Sequence, residues 1–424
     1  MVDNNNIKIT QNQISFTSSY FFTKKFIIIV FFILGLSNLL FNLFYGQKNL
    51  FGELKLENET SPSNIPTPIL SNDNDTKIVQ ESRDGLINRK YCGKDECKFL
   101  LAYHLLEQET QANMHFESSI QIAQRLNRTV VLPNVGGSRM HVCRPFPFSF
   151  YYDIDGLQQI FPTVQFITQQ DFMKWTKELE EKPDTFHAHI APRGKPFFVE
   201  NEEPKINLNN KLQTNSKVLL IKHNLPMLLF NDTLNFPVIP YSKNLINIQN
   251  NIMKKLDNYL AIHWRIENSN IKLLSKCSTS LVSWIKNFTL EHKIDNIYFA
   301  TDYPLHGNYD KAQSASFYNI REEHHQAIRT LNSTIKLNTW ISLNALDDLK
   351  NDDDEKIKWE LEGSGVQGIL DKLVLINADW FVSGPRGCAR IQSRFTRRIK
   401  NAREKLINSG NTKIKNISTV WSLI

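Results

Sequence analysis

The chain has 424 residues, of which 41% are hydrophobic and 22% are charged, and its formal net charge is +7. This length and apolar content are enough to bury a full hydrophobic core, and we expect the folded part to divide into two lobes. The basic excess is mild and has no concentrated block except near the C-terminus. The composition therefore does not call for a nucleic-acid partner.

The first element in chain order is an apolar segment at residues 26–45, which reads FIIIVFFILGLSNLLFNLFY. A helix of about twenty residues rises about 30 Å, which matches the hydrocarbon core of a bilayer. A cleaved signal peptide would have a shorter apolar region ending in small residues, and the edge NLFYGQK lacks them. We therefore predict a transmembrane signal anchor at residues 26–45, with a cleaved signal as the alternative.

The charges beside this segment predict its orientation. Residues 1–25 carry Lys8, Lys24 and Lys25 against Asp3, and positive charge keeps that side of a span in the cytosol. We expect a single-pass type II membrane protein of the Golgi or endoplasmic reticulum, with a cytosolic tail at residues 1–25 and a luminal C-terminal part. The Asn-x-Ser/Thr sequences agree, because all of them lie beyond the span. They begin at Asn58, Asn74, Asn127, Asn231, Asn287, Asn332 and Asn416.

Residues 46–87 are predicted to form a solvated stem. This segment contains SPSNIPTPILSNDNDT, which is dense in proline, serine, asparagine and aspartate. Such a composition has too few large apolar residues to bury a core of its own. We therefore place the start of the folded part at residue 88.

The cysteines would meet oxidising conditions in the lumen, where disulfides form. They are Cys92, Cys97, Cys143, Cys277 and Cys388. Cys92 and Cys97 could close a short local loop, and the remaining pairing stays open. A C-x4-C pair without a second pair is poor evidence for a zinc site.

From about Cys92 onward, strand-like and helix-like segments alternate. A helix is predicted at Phe116–Leu126, where apolar residues share one helical face. A strand follows at Thr129–Leu132, which is rich in β-branched residues and is ended by Pro133. A further apolar run predicts a strand at Val218–Ile221.

The second half of the chain shows the same alternation more clearly. Strands are predicted at Tyr259–Ile262, Asn296–Ala300 and Trp380–Val382, helices at Leu245–Leu256 and Val366–Asn377, and a basic helix from the turn Gly384–Gly387 to about Leu406. Strands that alternate with helices indicate an α/β fold with parallel sheets. Ligands bind such sheets beyond the carboxyl ends of the strands, and polar residues follow each of these strands.

Arg265 lies just after the predicted strand Tyr259–Ile262. An arginine at the end of a buried strand could bind a diphosphate, because its planar guanidinium donates two parallel hydrogen bonds. The plainer interpretation is a surface ion pair with Glu267.

The segment Ser383–Arg398, SGPRGCARIQSRFTRR, is a second candidate site. A glycine-bounded turn that leads into a helix exposes backbone N–H groups to which anions bind, and Arg386 lies in that turn. We interpret Arg394, Arg397 and Arg398 as part of a solvated basic helix.

Asp153 and Asp155 form a D-x-D pair after the aromatic run FSFYY. Such a pair could hold a divalent cation that bridges a nucleotide diphosphate, which would indicate a metal-dependent glycosyltransferase. The plainer interpretation, favoured by Gly156, is a structural turn.

Taken in order, five segments of the chain resemble motifs of the protein O-fucosyltransferase family and its fungal-type relatives. They are TQANMHF at Thr110–Phe116 with LNRTVVLP at Leu126–Pro133, FYYDIDGL at Phe150–Leu157, HWR at His263–Arg265, FATD at Phe299–Asp302 and ADWFVSG at Ala378–Gly384. The resemblance covers about residues 92–405. The match at FYYDIDGL is a further argument against a metal at Asp153.

The resemblance implies a GT-B-like fold, in which two Rossmann-like lobes enclose a central cleft. We set the lobes at residues 88–240 and 241–424, with the nucleotide sugar on the second lobe. The resemblance also implies an enzyme that transfers fucose from GDP-fucose, with inversion, to a hydroxyl of a protein or glycan acceptor. It implies no metal and no cofactor besides this donor substrate.

By the same resemblance, Arg265 corresponds to the arginine of the family's His-x-Arg motif, which would bind the phosphates and act in catalysis. Donor contacts are further expected from Gln111, Asn113, His263, Asp302, Asp371, Arg386, Gly387 and Cys388. Among these, Asp302 and Asp371 would accept hydrogen bonds from the guanine edge. Two residues, Glu117 and Glu267, are candidates for a catalytic base.

Two departures from the family pattern bear on this assignment. The first loop of the family is usually glycine-rich, whereas Glu109-Thr110-Gln111 contains no glycine, so this loop should contact the donor differently. The final loop usually carries Ser-Ser/Thr-Phe, and Arg386 stands in place of those hydroxyls. The sugar could therefore differ from fucose, and a luminal protein of this fold that has lost catalysis is a further alternative.

Overall fold

The structure is a computed structural model that describes residues 82–105, 107–190, 212–223, 239–267, 269–305, 317, 319–346, 354–389 and 393–423. Ile78–Ile424 form one compact unit. Among the described residues, no helix is long and apolar enough to cross a membrane. The predicted cytosolic tail, anchor and most of the stem lie outside these residues.

The strands of the described part are short and mostly buried. They are β1 Phe99–Leu105, β2 Thr129–Leu132, β3 Val135–Gly136, β4 Arg139–His141, β5 Phe166–Thr168, β6 Thr185–Ile190, β7 Val218–His223, β8 Tyr259–Trp264, β9 Asn296–Thr301, β10 Trp380–Ser383 and β11 Thr419–Val420.

The helices connect these strands and cover the sheets. They are α1 Arg83–Cys92, α2 Glu109–Arg125, α3 Ile154–Ile160, α4 Gln169–Glu178, α5 Lys243–Leu256, α6 Leu274–His292, α7 Glu322–Thr334, α8 Glu355–Leu361, α9 Ser364–Asn377 and α10 Arg394–Asn408. Short 3₁₀ helices lie at Phe148–Phe150 and Ile271–Leu273.

The first sheet is built around β1. Strands β6, β7, β1, β2 and β5 lie side by side in that order and run parallel, and the β3–β4 hairpin joins the end of β1 in an antiparallel arrangement. Successive side chains of a strand point to opposite faces. Phe99 and Leu101 accordingly pack in an outer core with α1 and α4, whereas Leu100 and Ala102 pack in a central core with α2.

The second sheet has the order β11-β10-β8-β9, and all four strands are parallel. Leu260 and Ile262 of β8 pack against α6 and α7 on one face, while Tyr259 and Ala261 face the central core. The inner faces of both sheets thus share one core with α2 and α9. The predicted α/β fold is confirmed, and the GT-B assignment and the lobe boundary at residue 240 stay predictions.

Most predicted elements agree with the structure within one or two residues, but three boundaries were wrong. Helix α1 begins at Arg83, inside the predicted stem, because Ser82 caps it by accepting from Gly85 N (3.1 Å) and Ile87 packs in the outer core. Helix α2 begins at Glu109 rather than Phe116. Its first two turns carry several polar side chains, and these bind one another and side chains of other elements.

The third wrong boundary concerns the basic helix. Helix α10 begins at Arg394, where the Ser393 side chain accepts from Thr396 N, and not at the turn Gly384–Gly387. Arg386 therefore lies in a loop ahead of the helix rather than at its N-terminus. An N-cap serine supplies the acceptor that a helix start requires, which explains why the helix begins where it does.

Two disulfides stabilise the described part. Cys92–Cys97 closes the local loop that the sequence predicted. Cys277–Cys388 joins α6 to the loop after β10 and links residues 111 positions apart, a pairing that the sequence left open. Cys143 is exposed and has a free thiol.

Candidate active site

The predicted site residues of the second sheet gather at the carboxyl ends of its adjacent strands. Strand β8 pairs with β10 on one side and β9 on the other. Arg265 follows β8, Asp302 follows β9, and the loop at residues 384–389 follows β10. Parallel strands of this kind bring their following loops to one edge, which is where ligands bind.

Arg265 is held by two carboxylates. Its Nη2 donates to Glu267 Oε2 at 2.6 Å and its Nε lies 3.7 Å from Asp302 Oδ2, while 20% of its side chain stays exposed. The ion pair with Glu267, which is the plainer interpretation of the sequence, is therefore present in the structure. This contact also fixes the direction of the guanidinium, which a phosphate-binding group needs.

Asp302 orders the segment that carries Arg265. Its two carboxylate oxygens accept from Ile266 N at 2.8 Å and Glu267 N at 3.0 Å. Burial raises the pKa of Asp302 to about 6, although these N–H groups and Arg265 act in the opposite direction. In this structure Asp302 shapes the turn after β8, and its predicted contact with guanine stays a prediction.

The 384–389 loop forms a tight turn. Cys388 N and Ala389 N both donate to Pro385 O, at 3.1 and 3.0 Å, and Gly387 adopts a φ of +89°, which favours glycine. Arg386 is exposed in this turn. The sulfur of Cys388 is fully buried in the disulfide, so the predicted donor contact of Cys388 cannot come from its side chain.

Helix α2 meets the N-terminal turn of α10 beside this edge. Gln111 Oε1 accepts from Arg394 Nη1, and Gln111 Nε2 lies 2.9 Å from His115 Nε2. Arg394 is exposed, as expected for a residue of a solvated basic helix, and its guanidinium also binds the buried Gln111. The predicted donor contact of Gln111 stays a prediction.

His263 lies at the end of β8, under α10. Its Nδ1 is 3.1 Å from Thr396 Oγ1, and its ring contacts Phe395 with centroids 4.9 Å apart. Burial, and secondarily Arg265, lower the pKa of His263 to about 3. The ring is therefore neutral near pH 7 and cannot serve as a cation for phosphate.

Asn113 belongs to a buried polar network between the two sheets. Its Nδ2 donates to Glu109 Oε1 at 2.7 Å, and its Oδ1 accepts from the Tyr152 hydroxyl at 2.7 Å. Glu109 in turn forms an ion pair with Lys372 on α9. Both polar groups of Asn113 are therefore engaged inside the protein, and its predicted donor contact would require this network to rearrange.

Glu117, a predicted base candidate, is enclosed between α2 and α10. Its Oε2 lies 3.3 Å from Arg398 Nη2, and its side chain is only 1% exposed. Burial raises the pKa of Glu117 to about 7, although Arg398 acts in the opposite direction. A base must reach the hydroxyl that it deprotonates, and this carboxylate does not reach the protein surface here.

Asp371 lies on α9 beneath β9, away from the strand ends. Its Oδ1 accepts from the Tyr298 hydroxyl at 2.6 Å, and burial raises the pKa of Asp371 to about 7. Tyr298 is in the middle of β9. The structure therefore does not bring Asp371 to the same edge as Arg265, and its contact with guanine stays a prediction.

Asp153 has a structural role in the described fold. Its Oδ1 accepts from Asp155 N at 3.1 Å, and it is the N-cap of α3. Gly156 lies within this helix rather than in a turn. Across the described ranges, no group of three or more His, Cys, Asp or Glu side chains could hold a metal ion.

Several residues of this region were not foreseen from the sequence. Lys372 and Glu109 are the buried ion pair, and Cys277 is the disulfide partner of Cys388. The i, i+4 pairing of Glu109 with Asn113 on one helix was a readable signal. The partners on α9 and α6 were not, since they are far away in sequence.

No protein-family model matches the sequence, and a search of curated proteins finds no match. Among solved structures, POFUT1 in complex with GDP-fucose is 13% identical, with 77% of this chain and 98% of that chain covered and a TM-score of 0.42. NodZ α-1,6-fucosyltransferase soaked with GDP-fucose is 14% identical, with 72% and 93% covered and a TM-score of 0.39. The fucosyltransferase NodZ from Bradyrhizobium is 14% identical, with 72% and 92% covered and a TM-score of 0.38. Similarity at this level does not assign the chain to a family.

Proposed function

We propose that the protein is a glycosyltransferase of GT-B-like fold that transfers fucose from GDP-fucose, with inversion, to a hydroxyl of a protein or glycan acceptor. The observation that carries this proposal is the setting of Arg265. Its guanidinium lies at the carboxyl end of a central parallel strand, is oriented by Glu267 and Asp302, and stays partly exposed. The order of the five sequence motifs supports the same function.

These residues would assist the departure of the nucleotide diphosphate. As the glycosyl bond breaks, negative charge builds on the leaving phosphate, and donors that are already fixed stabilise it without reorganisation. Arg265 is fixed by its carboxylate partners. Arg386 adds an exposed guanidinium in a loop whose backbone accepts hydrogen bonds from Trp264 and Ser269, one on each side of Arg265 in sequence.

The proposed transfer forms one C–O bond, breaks another, and moves one proton. The acceptor oxygen attacks the anomeric carbon from the face opposite the diphosphate, and GDP leaves with the electron pair of the broken C–O bond. The proton of the acceptor hydroxyl passes to a base. Glu267 lies beside Arg265, whereas Glu117 is enclosed in the interior, so Glu267 is the better placed of the two candidates.

We propose that the transfer needs no metal. The capping role of Asp153 gives this residue a structural function, which weakens the metal-dependent alternative built on Asp153 and Asp155. Turnover should therefore survive EDTA. Loss of turnover on chelation, with recovery on adding manganese, would favour the alternative.

A catalytically inactive protein of the same fold is a second candidate function. The observation in its favour is that polar side chains expected to contact the donor are paired inside the protein. Gln111 binds Arg394, and Asn113 binds Glu109 and Tyr152. Such a protein would bind glycans or protein partners without turnover.

We also propose a single-pass type II placement in the Golgi or endoplasmic reticulum, anchored by residues 26–45. The two disulfides support an oxidising compartment for the C-terminal part, because disulfides persist there and are rare in the cytosol.

The test of the proposed function is turnover of GDP-fucose, with a panel of other nucleotide sugars measured in parallel. Arg265→Ala should lower turnover by about 10²–10³, which is typical for the loss of one fixed charge-stabilising donor. Arg265→Lys should restore little, because an ammonium cannot reproduce the planar fork. Glu267→Ala should also lower turnover, since the guanidinium loses its orientation.

Arg329→Ala is the matched control, because Arg329 is a 64% exposed arginine that pairs with Glu322 on the surface of α7. It should leave turnover unchanged. A folded Arg265→Ala variant with near-normal turnover would remove the catalytic assignment. A folded wild type that turns over none of the nucleotide sugars in the panel would favour the inactive candidate.

A further inference from the structure

The Cys277–Cys388 disulfide lies directly behind the 384–389 loop. Cys277 is in the first turn of α6 and Cys388 is the fifth residue of the loop, and both are fully buried. They belong to the core on the outer face of the second sheet, together with Leu274, Trp264 and Trp421. A covalent bond therefore joins the first turn of α6 to the loop that carries Arg386.

The same part of the loop is tied by hydrogen bonds to the last residue of β8 and to the segment after it. Cys388 O accepts from Trp264 Nε1 at 2.8 Å and from Ser269 Oγ at 2.5 Å, and Gly387 O accepts from Asn270 N at 2.8 Å. Trp264 and Ser269 flank Arg265 in sequence. The two strand-end segments that carry the site's arginines are thus bonded to each other.

The loop also packs closely on this segment. An ideal Cβ at Gly387 would lie 3.0 Å from Leu273 Cδ1, so a side chain there would press on Leu273, and the positive φ of Gly387 disfavours one in addition. Gly384 is similarly enclosed, since an ideal Cβ would lie 2.5 Å from Ala389 Cβ and 2.8 Å from Trp421 Cη2. The loop therefore has little room to shift while its contacts persist.

We propose that Cys277 and Cys388 are a positioning pair, whose disulfide fixes Arg386 relative to Arg265 so that both guanidinium groups can bind the diphosphate of one nucleotide. This inference rests on the proposed function. Charge-stabilising groups need a fixed geometry, and a displacement of about 1 Å can lower a rate by about 10². Without the disulfide, the hydrogen bonds at Gly387 and Cys388 and the packing described above would hold the loop without a covalent link.

A simple stabilising role is the competing explanation, and the two make different predictions about ligands. GDP and GMP differ by the β-phosphate, so the ratio of their affinities reports on the diphosphate site. A disulfide that only stabilises the fold would lower the melting temperature and leave this ratio unchanged. A disulfide that positions Arg386 would change the ratio itself.

The experiment measures GDP and GMP binding by calorimetry, and melting temperature, for the full-length chain and its variants. C277A/C388A should lower the preference for GDP over GMP by about tenfold. C92A/C97A removes the other disulfide, which closes a local loop beside α1, and should leave the preference unchanged. Arg386→Ala should lower the preference in the wild type and have a smaller effect in C277A/C388A, because interacting groups are not additive.

Ser269→Ala is the second variant, because it removes one hydrogen bond at Cys388 O and leaves the disulfide intact. Because the disulfide still holds the loop in Ser269→Ala, its GDP preference should stay near that of the wild type, and this test does not require C277A/C388A to fold. A fall in preference as large as that of Arg386→Ala would overturn the inference, since the hydrogen bonds and not the disulfide would then position the loop. A folded C277A/C388A protein with wild-type preference also overturns it, and the proposed function then stands. A wild type that binds neither nucleotide refutes the proposed function and this inference together.

Discussion

Lys372 on α9 and Glu109 on α2 form a buried ion pair across the central core, and Lys372→Met would leave the Glu109 carboxylate without its cation. Removal of one partner of a buried pair typically destabilises a protein by about 3–5 kcal/mol, because an uncompensated charge stays in the interior. Methionine keeps much of the volume and the apolar stem of lysine. We therefore expect an effect on stability through charge rather than through a cavity.

The surroundings of Glu109 refine this magnitude. Its carboxylate keeps hydrogen bonds from Asn113 Nδ2 at 2.7 Å, from Thr110 Oγ1 at 2.9 Å and from the Tyr241 hydroxyl. Each hydrogen bond to a charged group contributes about 1.5–3 kcal/mol, so these bonds still stabilise the carboxylate after Lys372 is removed. We therefore expect the free energy of unfolding to fall by about 3 kcal/mol rather than about 5 kcal/mol.

The loss should also depend on pH. Burial acts to raise the pKa of Glu109, but Lys372 and the hydrogen bonds hold it below its usual value. In Lys372→Met, burial would prevail and the folded-state pKa would rise above that of the unfolded chain. The folded state would then bind more protons than the unfolded one, so the variant loses stability as the pH rises.

Urea unfolding followed by tryptophan fluorescence at pH 5 and pH 8 measures both effects. Glu109→Gln in the Lys372→Met background should recover at least half of the loss and remove its pH dependence. Lys90→Met is the control, because Lys90 pairs with Glu178 at 2.9 Å on the surface and such pairs contribute about 0–1 kcal/mol. A Lys372→Met variant whose free energy of unfolding lies within about 1 kcal/mol of the wild-type value at both pH values would refute this reasoning.

Two further predictions concern the interior of the fold and its modification. Because the pKa of Glu117 is raised to about 7 in the folded state, the free energy of unfolding of the wild type should fall as the pH rises from about 4.5 to 7. Glutamine does not titrate, so in urea unfolding Glu117→Gln should gain up to about 3 kcal/mol relative to the wild type over that range. A difference in the free energy of unfolding between Glu117→Gln and the wild type that does not change with pH would contradict the raised pKa of Glu117. If the C-terminal part is luminal, peptide mass spectrometry should find a glycan at the exposed Asn287 and none at Asn416, whose Nδ2 donates to Phe381 O at 3.0 Å and Thr419 Oγ1 at 2.8 Å. Full occupancy at Asn416 would contradict that pairing.

The sequence by itself determined the alternation of strands and helices and the ends of the central strands. Tyr259–Ile262, Asn296–Ala300 and Trp380–Val382 were each predicted within two residues of β8, β9 and β10. These strands are nearly continuous runs of apolar residues, since both faces of a parallel sheet are buried. Because this signal is local, the position of Arg265 at a strand end was also readable.

The tertiary structure alone decided what the polar residues of α2 and the cysteines do. Glu109, Gln111 and Asn113 gave no apolar periodicity, and they form two helical turns because Lys372, Arg394 and Tyr152 satisfy their charges and hydrogen bonds from other elements. Buried polar groups require such partners. Those partners are distant in sequence, as is Cys277 from Cys388, and only the folded chain brings them within bonding distance.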